Sequence, residues 1–240
     1  MLQAIVSGLG REMVQAALIW LMYVALEPSV RARWPRVLIS WNRILIGQWS
    51  DPLVGTRVLQ GTFTGALIAS VFLGNAVWQA SRGNLTSSAH EDAGISASAF
   101  LADLASLLQN GISFGLAVIF AIFVLRALLR NDWLASVAAA VLMTGVTQRE
   151  VWISFELISI VFFIAIFGAI AFVLLRLGLV AAIVAITFVD LLLRTPGAQN
   201  MTKWYEWTVI AYPLVALAIV AWAFWQASGE EALSSQPKVT

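Results

Sequence analysis

The chain has 240 residues, 60% of them hydrophobic and only 11% charged, with a formal net charge of +1. A soluble domain carries roughly 25% charged residues, so these values and a mean hydropathy of +0.87 point to an integral membrane protein. The near-zero net charge removes the electrostatic basis for nucleic-acid binding, and the absence of cysteine excludes disulfides, thiolate metal sites and cysteine nucleophiles.

A bilayer span needs about 20 mostly apolar residues. Residues 1–12 form a short N-terminal segment that lacks the basic cluster and small-residue cleavage site of a signal peptide. The first span is expected at about 13–26, ended by Glu27-Pro28 because proline disfavours helix at the residue before it. A basic stretch with Arg31, Arg33 and Arg36 follows. Arg36, Ser40, Arg43, Gly47 and Ser50 then recur at helical spacing, with Val37, Leu38, Trp41, Ile44, Leu45 and Trp49 on the other side. That pattern predicts an amphipathic helix over 36–49, too charged to span and suited to lie at the headgroups. Asp51-Pro52 stops it.

The second span is predicted at 58–78. Gly61, Gly65 and Ala69 form a small-residue stripe along it, a helix-contact face. Gln60, Thr62, Thr64 and Asn75 read as packing hydrogen bonds. The polar stretch SRGNLTSSAHEDAGISAS (81–98) reads as a loop, and Phe100–Leu108 as a mildly amphipathic helix. A third span is predicted at 111–129 and a short fourth at 133–146. Val151–Leu193 is a 43-residue apolar run interrupted only by Glu156, Arg176 and Asp190. As one helix it would measure about 64 Å, twice the bilayer core of about 30 Å. It must fold back, and Arg176-Leu177-Gly178 is the corner, giving spans at 151–175 and 177–193. A polar loop precedes the seventh span at 207–225, where Pro213 is a candidate kink, and 226–240 is expected to be a soluble tail. The fold class is therefore an all-α membrane protein: a bundle of about seven transmembrane helices plus an interfacial amphipathic helix. Of the eleven tryptophans, Trp34, Trp49, Trp78, Trp133, Trp152, Trp204 and Trp207 stand at block edges, as interface anchors do.

Seven spans put nine basic residues on one side (Arg31, Arg33, Arg36, Arg43, Arg57, Arg126, Arg130, Arg176 and Lys238) and five on the other. The positive-inside rule places the nine in the cytoplasm, with the N-terminus outside and the C-terminus cytoplasmic.

Two groups of residues are candidate sites. Arg31, Arg33, Arg36 and Arg43 can bind anionic headgroups, at about 1 kcal/mol per basic residue near the surface, or dock a cytoplasmic partner; the bland reading is topology alone. Glu156 and Asp190 are the acids within the long run, near the outer ends of the fifth and sixth spans. An intramembrane carboxylate is costly and marks a functional hypothesis, here a small polar site for a proton or cation. The bland reading pairs Asp190 with Arg194 at i+4 and Glu156 with Arg149 or water. His90, the single histidine, lies in the polar loop and cannot make a closed transition-metal site with no cysteine beside it. No phosphate-binding, dinucleotide, kinase or nucleophile-elbow motif is present. No catalytic residue, metal or cofactor is assigned.

The segments ALEPSVRARWPRVLISWNRILIGQWSDPLVG (25–55), FVLRALLRNDWLASVA (123–138), FVLLRLGLVAAIVAITFVDLLL (172–193) and KWYEW (203–207) occur in this order. Together they resemble the C-terminal multi-spanning region of bacterial serine/threonine protein kinases of the kind common in Acidobacteria. The similarity runs from about residue 18 to 227. Ser29 stands where that family usually has tyrosine, Ala32 interrupts an arginine run, and Asp190 replaces an expected amide. The resemblance implies descent from the membrane half of a receptor-like kinase, in a bacterial inner membrane, without the kinase domain. A non-catalytic module that senses, anchors or signals through a cytoplasmic kinase or other membrane subunits is the leading expectation. The alternative is a transporter, channel or accessory subunit of a larger membrane complex.

Overall fold

The computed structural model describes residues 2–81, 96–153, 157–194 and 207–234, which are helical throughout their regular parts with no strand among them. In chain order the elements are α1 (Leu2–Arg33), a 3₁₀ turn (Pro35–Val37), α2 (Ile39–Leu45), α3 (Pro52–Ser81), α4 (Ala97–Leu129), α5 (Asp132–Thr147), α6 (Arg149–Ile153), α7 (Leu157–Leu177), α8 (Leu179–Leu193) and α9 (Trp207–Ser234). Among the described residues five helices are long and apolar enough to cross a membrane: α1, α3, α4, α7 and α9. At 16 and 15 residues, α5 and α8 fall short of that length.

The corner at residues 176–178 forms where the length argument requires it. Leu177 ends α7, Gly178 sits at φ +99°, and Leu179 opens α8. A side chain at Gly178 would be strained by that dihedral and would meet the Val37 carbonyl at 3.0 Å. The turn therefore rests directly on the arginine-bearing loop.

Helix α8 is the hub of the bundle. It packs against α3, α4, α7 and α9, and ten of its residues are buried, from Leu179 to Leu191. A helix apolar all round belongs in such a core. Its neighbours approach through glycine. A Cβ on Gly61 would lie 2.7 Å from the Ala181 carbonyl, and one on Gly65 2.7 Å from that of Ala185. Gly111 and Gly115 of α4 face Ile183 from the other flank. Gly61 and Gly65 of the predicted stripe thus press on the α8 backbone, Ala69 beside them is buried, and Gly111 and Gly115 of α4 make room for the Thr187 and Ile183 side chains. Large apolar side chains also cover the outer faces: Trp20, Phe63, Val161, Phe172, Leu217 and Phe224 are all exposed. Small residues at the helix seams and apolar ones on the outer faces suit contact with lipid.

Four expectations need correction. Pro28 does not end the first helix; α1 continues through it to Arg33. Proline removes one backbone donor, but Leu26 and Val30 on either side are buried in the core, and Arg31 bonds Glu27 one turn back at 2.5 Å. Residues 36–49 are not one amphipathic helix. The chain forms the 3₁₀ turn, breaks at Leu38, makes seven helical residues and ends at Gly47 with φ +84°. Val37 and Leu38 are drawn into the core and Ser40, expected on the polar stripe, is only 2% exposed. Tertiary packing outweighs the helical period there. The segment at 100–108 and the third span are one 33-residue helix, α4, capped by the Ser96 hydroxyl accepting from the Ala99 amide at 3.1 Å. Residues 226–234 of the expected tail continue α9, with Gln226 and Ala227 packed against Gly55.

Gly65→Val forces a side chain into the α8 backbone, and overpacking of this kind costs at least ~1–3 kcal/mol. It is expected to lower the thermal midpoint of the detergent-solubilised protein. Gly168→Ala, where an added Cβ meets nothing within 4 Å, is expected to leave it unchanged.

Candidate functional site

Two polar centres lie at opposite ends of the bundle. The basic end gathers the loop after α1, the start of α3, the end of α4, the start of α5 and the α7–α8 corner. The Arg126 guanidinium stacks over Trp34 at 5.0 Å from the ring centre and pairs with Asp132 at 2.6 Å. Arg43 pairs with Asp51, whose carboxylate also accepts the Leu53 amide at 2.8 Å and so starts α3. Arg57 donates to Gln60 at 2.9 Å. Eight arginines occupy this end (Arg31, Arg33, Arg36, Arg43, Arg57, Arg126, Arg130 and Arg176), against the carboxylates of Glu27, Asp51 and Asp132. Of the four arginines predicted as a binding set, Arg31 and Arg43 are engaged in ion pairs. Arg33 and Arg36 are exposed. The Pro35 ring between them and the buried Val37 fix the backbone that carries them.

The opposite end is built on one face of α4. Asp103 and Asn110 are seven residues apart, hence on the same side of that helix. Asp103 ion-pairs with Arg194, just beyond α8, and accepts the Tyr212 hydroxyl of α9 at 2.7 Å. Asn110 donates its side-chain amide to the Asp190 carboxylate at 2.7 Å. The Asp103 cluster joins α4, α8 and α9, and Phe100 packs on the Tyr212 ring at 5.1 Å beside it. Burial pulls the Arg194 guanidinium below its ordinary value, and the neighbouring Tyr212 pushes it back up; an arginine stays charged at neutral pH regardless.

Asp190, singled out from sequence, is therefore held by an amide from another helix. Arg194, one turn further on, forms an ion pair with Asp103. Glu156 lies outside the described residues, as does His90. Asp190 and Asn110 stand among the polar residues lining a cavity of about 180 Å³ enclosed by α3, α4, α7, α8 and the end of α5. Its walls are apolar, with Phe114 stacked on Phe167 at 5.6 Å. Such a cavity can hold a small group with an apolar body and a polar or cationic tip. Among the described residues no three histidine or acidic side chains gather as a metal site.

Sequence reasoning missed Asp103 and Asn110. The signal was their seven-residue spacing in register with Phe100, Leu107 and Phe114, in a segment read as lying outside the third span. Comparison with known protein families, curated proteins and solved structures finds no match to this chain.

Asp103→Asn removes the carboxylate that pairs with Arg194 in a half-buried setting. Loss of a hydrogen bond to a charged group is expected to cost about 1–3 kcal/mol. Pairing it with Arg194→Gln is expected to recover part of that loss in a double-mutant cycle of unfolding free energies. Strict additivity of the two changes would mean that the pair carries no coupling.

Proposed function

We propose that this protein crosses the bacterial inner membrane seven times, with its N-terminus outside and its C-terminus in the cytoplasm. We read it as a non-catalytic module that senses or anchors, similar to the membrane region of bacterial serine/threonine kinases. The observation that carries this reading is the collection of eight arginines at one end of the bundle. By the positive-inside rule that end faces the cytoplasm. The contacts Trp34 to Arg126, Val37 to Gly178 and Gly55 to Gln226 bring the ends of α1, α3, α4, α8 and α9 together there, which supports an odd number of crossings. Exposed Arg33 and Arg36 on a braced turn are suited to an acidic surface on a cytoplasmic kinase or to anionic headgroups. A second reading, a transporter, channel or accessory subunit, is favoured by one observation: the Asn110–Asp190 pair in the lining of an apolar cavity.

Capture of a host cytosolic kinase by inside-out vesicles carrying the protein tests side and role together. Capture is expected from inside-out vesicles alone, falling several-fold with Arg33→Gln/Arg36→Gln. Capture from right-side-out vesicles, or capture indifferent to the double variant, overturns the reading. For the second reading, Asp190→Asn is expected to abolish solute or proton flux in reconstituted vesicles while the fold is retained; unchanged flux removes Asp190 from it.

A further inference from the structure

The seam between α5 and α7 opens into a groove of about 630 Å³ that the predicted arginine set does not touch. Its length is apolar. Val137 and Ala140 of α5 form one wall, and Gly168 of α7 leaves a gap in the other where an added Cβ would meet nothing within 4 Å. Trp133 and Phe172 flank it and stand 73% and 63% exposed, so the groove faces outward from the bundle and not into its core. Its character changes at the basic end. Arg176 lines the mouth, its guanidinium 5.9 Å from the Phe172 ring centre, and Trp34 closes the other side beneath Arg126. Asp132 also lines the mouth, but its charge is balanced by Arg126.

We propose that this groove binds one anionic phospholipid, with its phosphate on Arg176 and one acyl chain lying in the gap at Gly168. The inference rests on the membrane reading above and adds a bound ligand of defined chemistry to it. An apolar trough meets a guanidinium where headgroups lie, and two tryptophans frame that level. Both halves of a lipid are matched by one continuous surface. Arginine presents a planar fork that suits phosphate geometry, and basic recesses between membrane helices at the inner face select acidic headgroups. A free phosphate would use only the mouth and leave the apolar length unoccupied.

The full chain is reconstituted in nanodiscs of phosphatidylcholine with a minor share of phosphatidylglycerol, and lipids retained after transfer to detergent are counted by native mass spectrometry. One tightly held phosphatidylglycerol per chain is expected. Arg176→Gln is expected to reduce the preference for phosphatidylglycerol over phosphatidylcholine about tenfold. Gly168→Phe, or Gly168→Val if the larger residue impairs folding, is expected to abolish retention of either lipid while the helical spectrum is unchanged. Arg33→Gln/Arg36→Gln is expected to leave retention intact, and excess soluble glycerol phosphate is expected not to displace the lipid. Equal losses from Arg176→Gln and the Arg33/Arg36 pair, or retention indifferent to filling Gly168, would overturn the proposal in favour of diffuse headgroup attraction. Displacement by glycerol phosphate would overturn it in favour of a phosphate site. A chain that fails to enter nanodiscs at all would instead sink the membrane reading beneath it.

Discussion

The fold depends on how closely backbones come to α8. In lipid, burying one apolar helix against another gains little over burying it against acyl chains, so packing contact has to hold the bundle together. Gly61 and Gly65 on one flank and Gly111 and Gly115 on the other let α3 and α4 close on the same short helix. Side chains at those positions would hold the backbones apart and thin every contact along the seam. The remaining helices are arranged around that sandwich: α9 reaches α3 at Gly55, α7 doubles back at Gly178, and α5 leans on α7.

Polar groups in such a bundle survive by pairing across helices. Asp103 uses both carboxylate oxygens, one on Arg194 and one on Tyr212, while Asn110 and Asp190 bond each other. The same α4 face therefore stitches three helices at one end. Ion pairs at the other end, Arg43 with Asp51 and Arg126 with Asp132, tie the last turn of one helix to the start of the next. The two ends differ in charge balance. At the basic end eight arginines outnumber the carboxylates of Glu27, Asp51 and Asp132, which is why the functional reading rests there.

Much of this was legible in the residues because membrane packing leaves coarse marks. A 43-residue apolar run cannot be one span, so a turn followed from its length, and Arg176-Leu177-Gly178 marked the place. The spacing of Gly61, Gly65 and Ala69 announced a close contact without naming the partner. Errors arose where tertiary contacts override local rules. Pro28 sits in a helix held by buried Leu26 and Val30. The period over 36–49 was real, yet Val37 and Leu38 are claimed by the core and Gly47 turns left-handed. Asp103 and Asn110 were overlooked because a boundary drawn at residue 111 hid that they share a helix with the apolar span. Which helix supplies a partner eighty residues away, as Asn110 does for Asp190, is information that no local pattern contains.

The two short helices have unequal consequences for the surrounding lipid. α8, wrapped on all sides by protein, sets no limit on bilayer thickness, because no acyl chain has to match its ends. α5 is different: Trp133, Val137, Val141, Leu142 and Val146 leave one face uncovered, and its 16 residues rise only about 24 Å. On the seven-crossing reading, the annulus beside α5 is pinched several ångströms below the usual core of about 30 Å. The molecule would then partition toward thinner membrane and deform thicker ones on one side only.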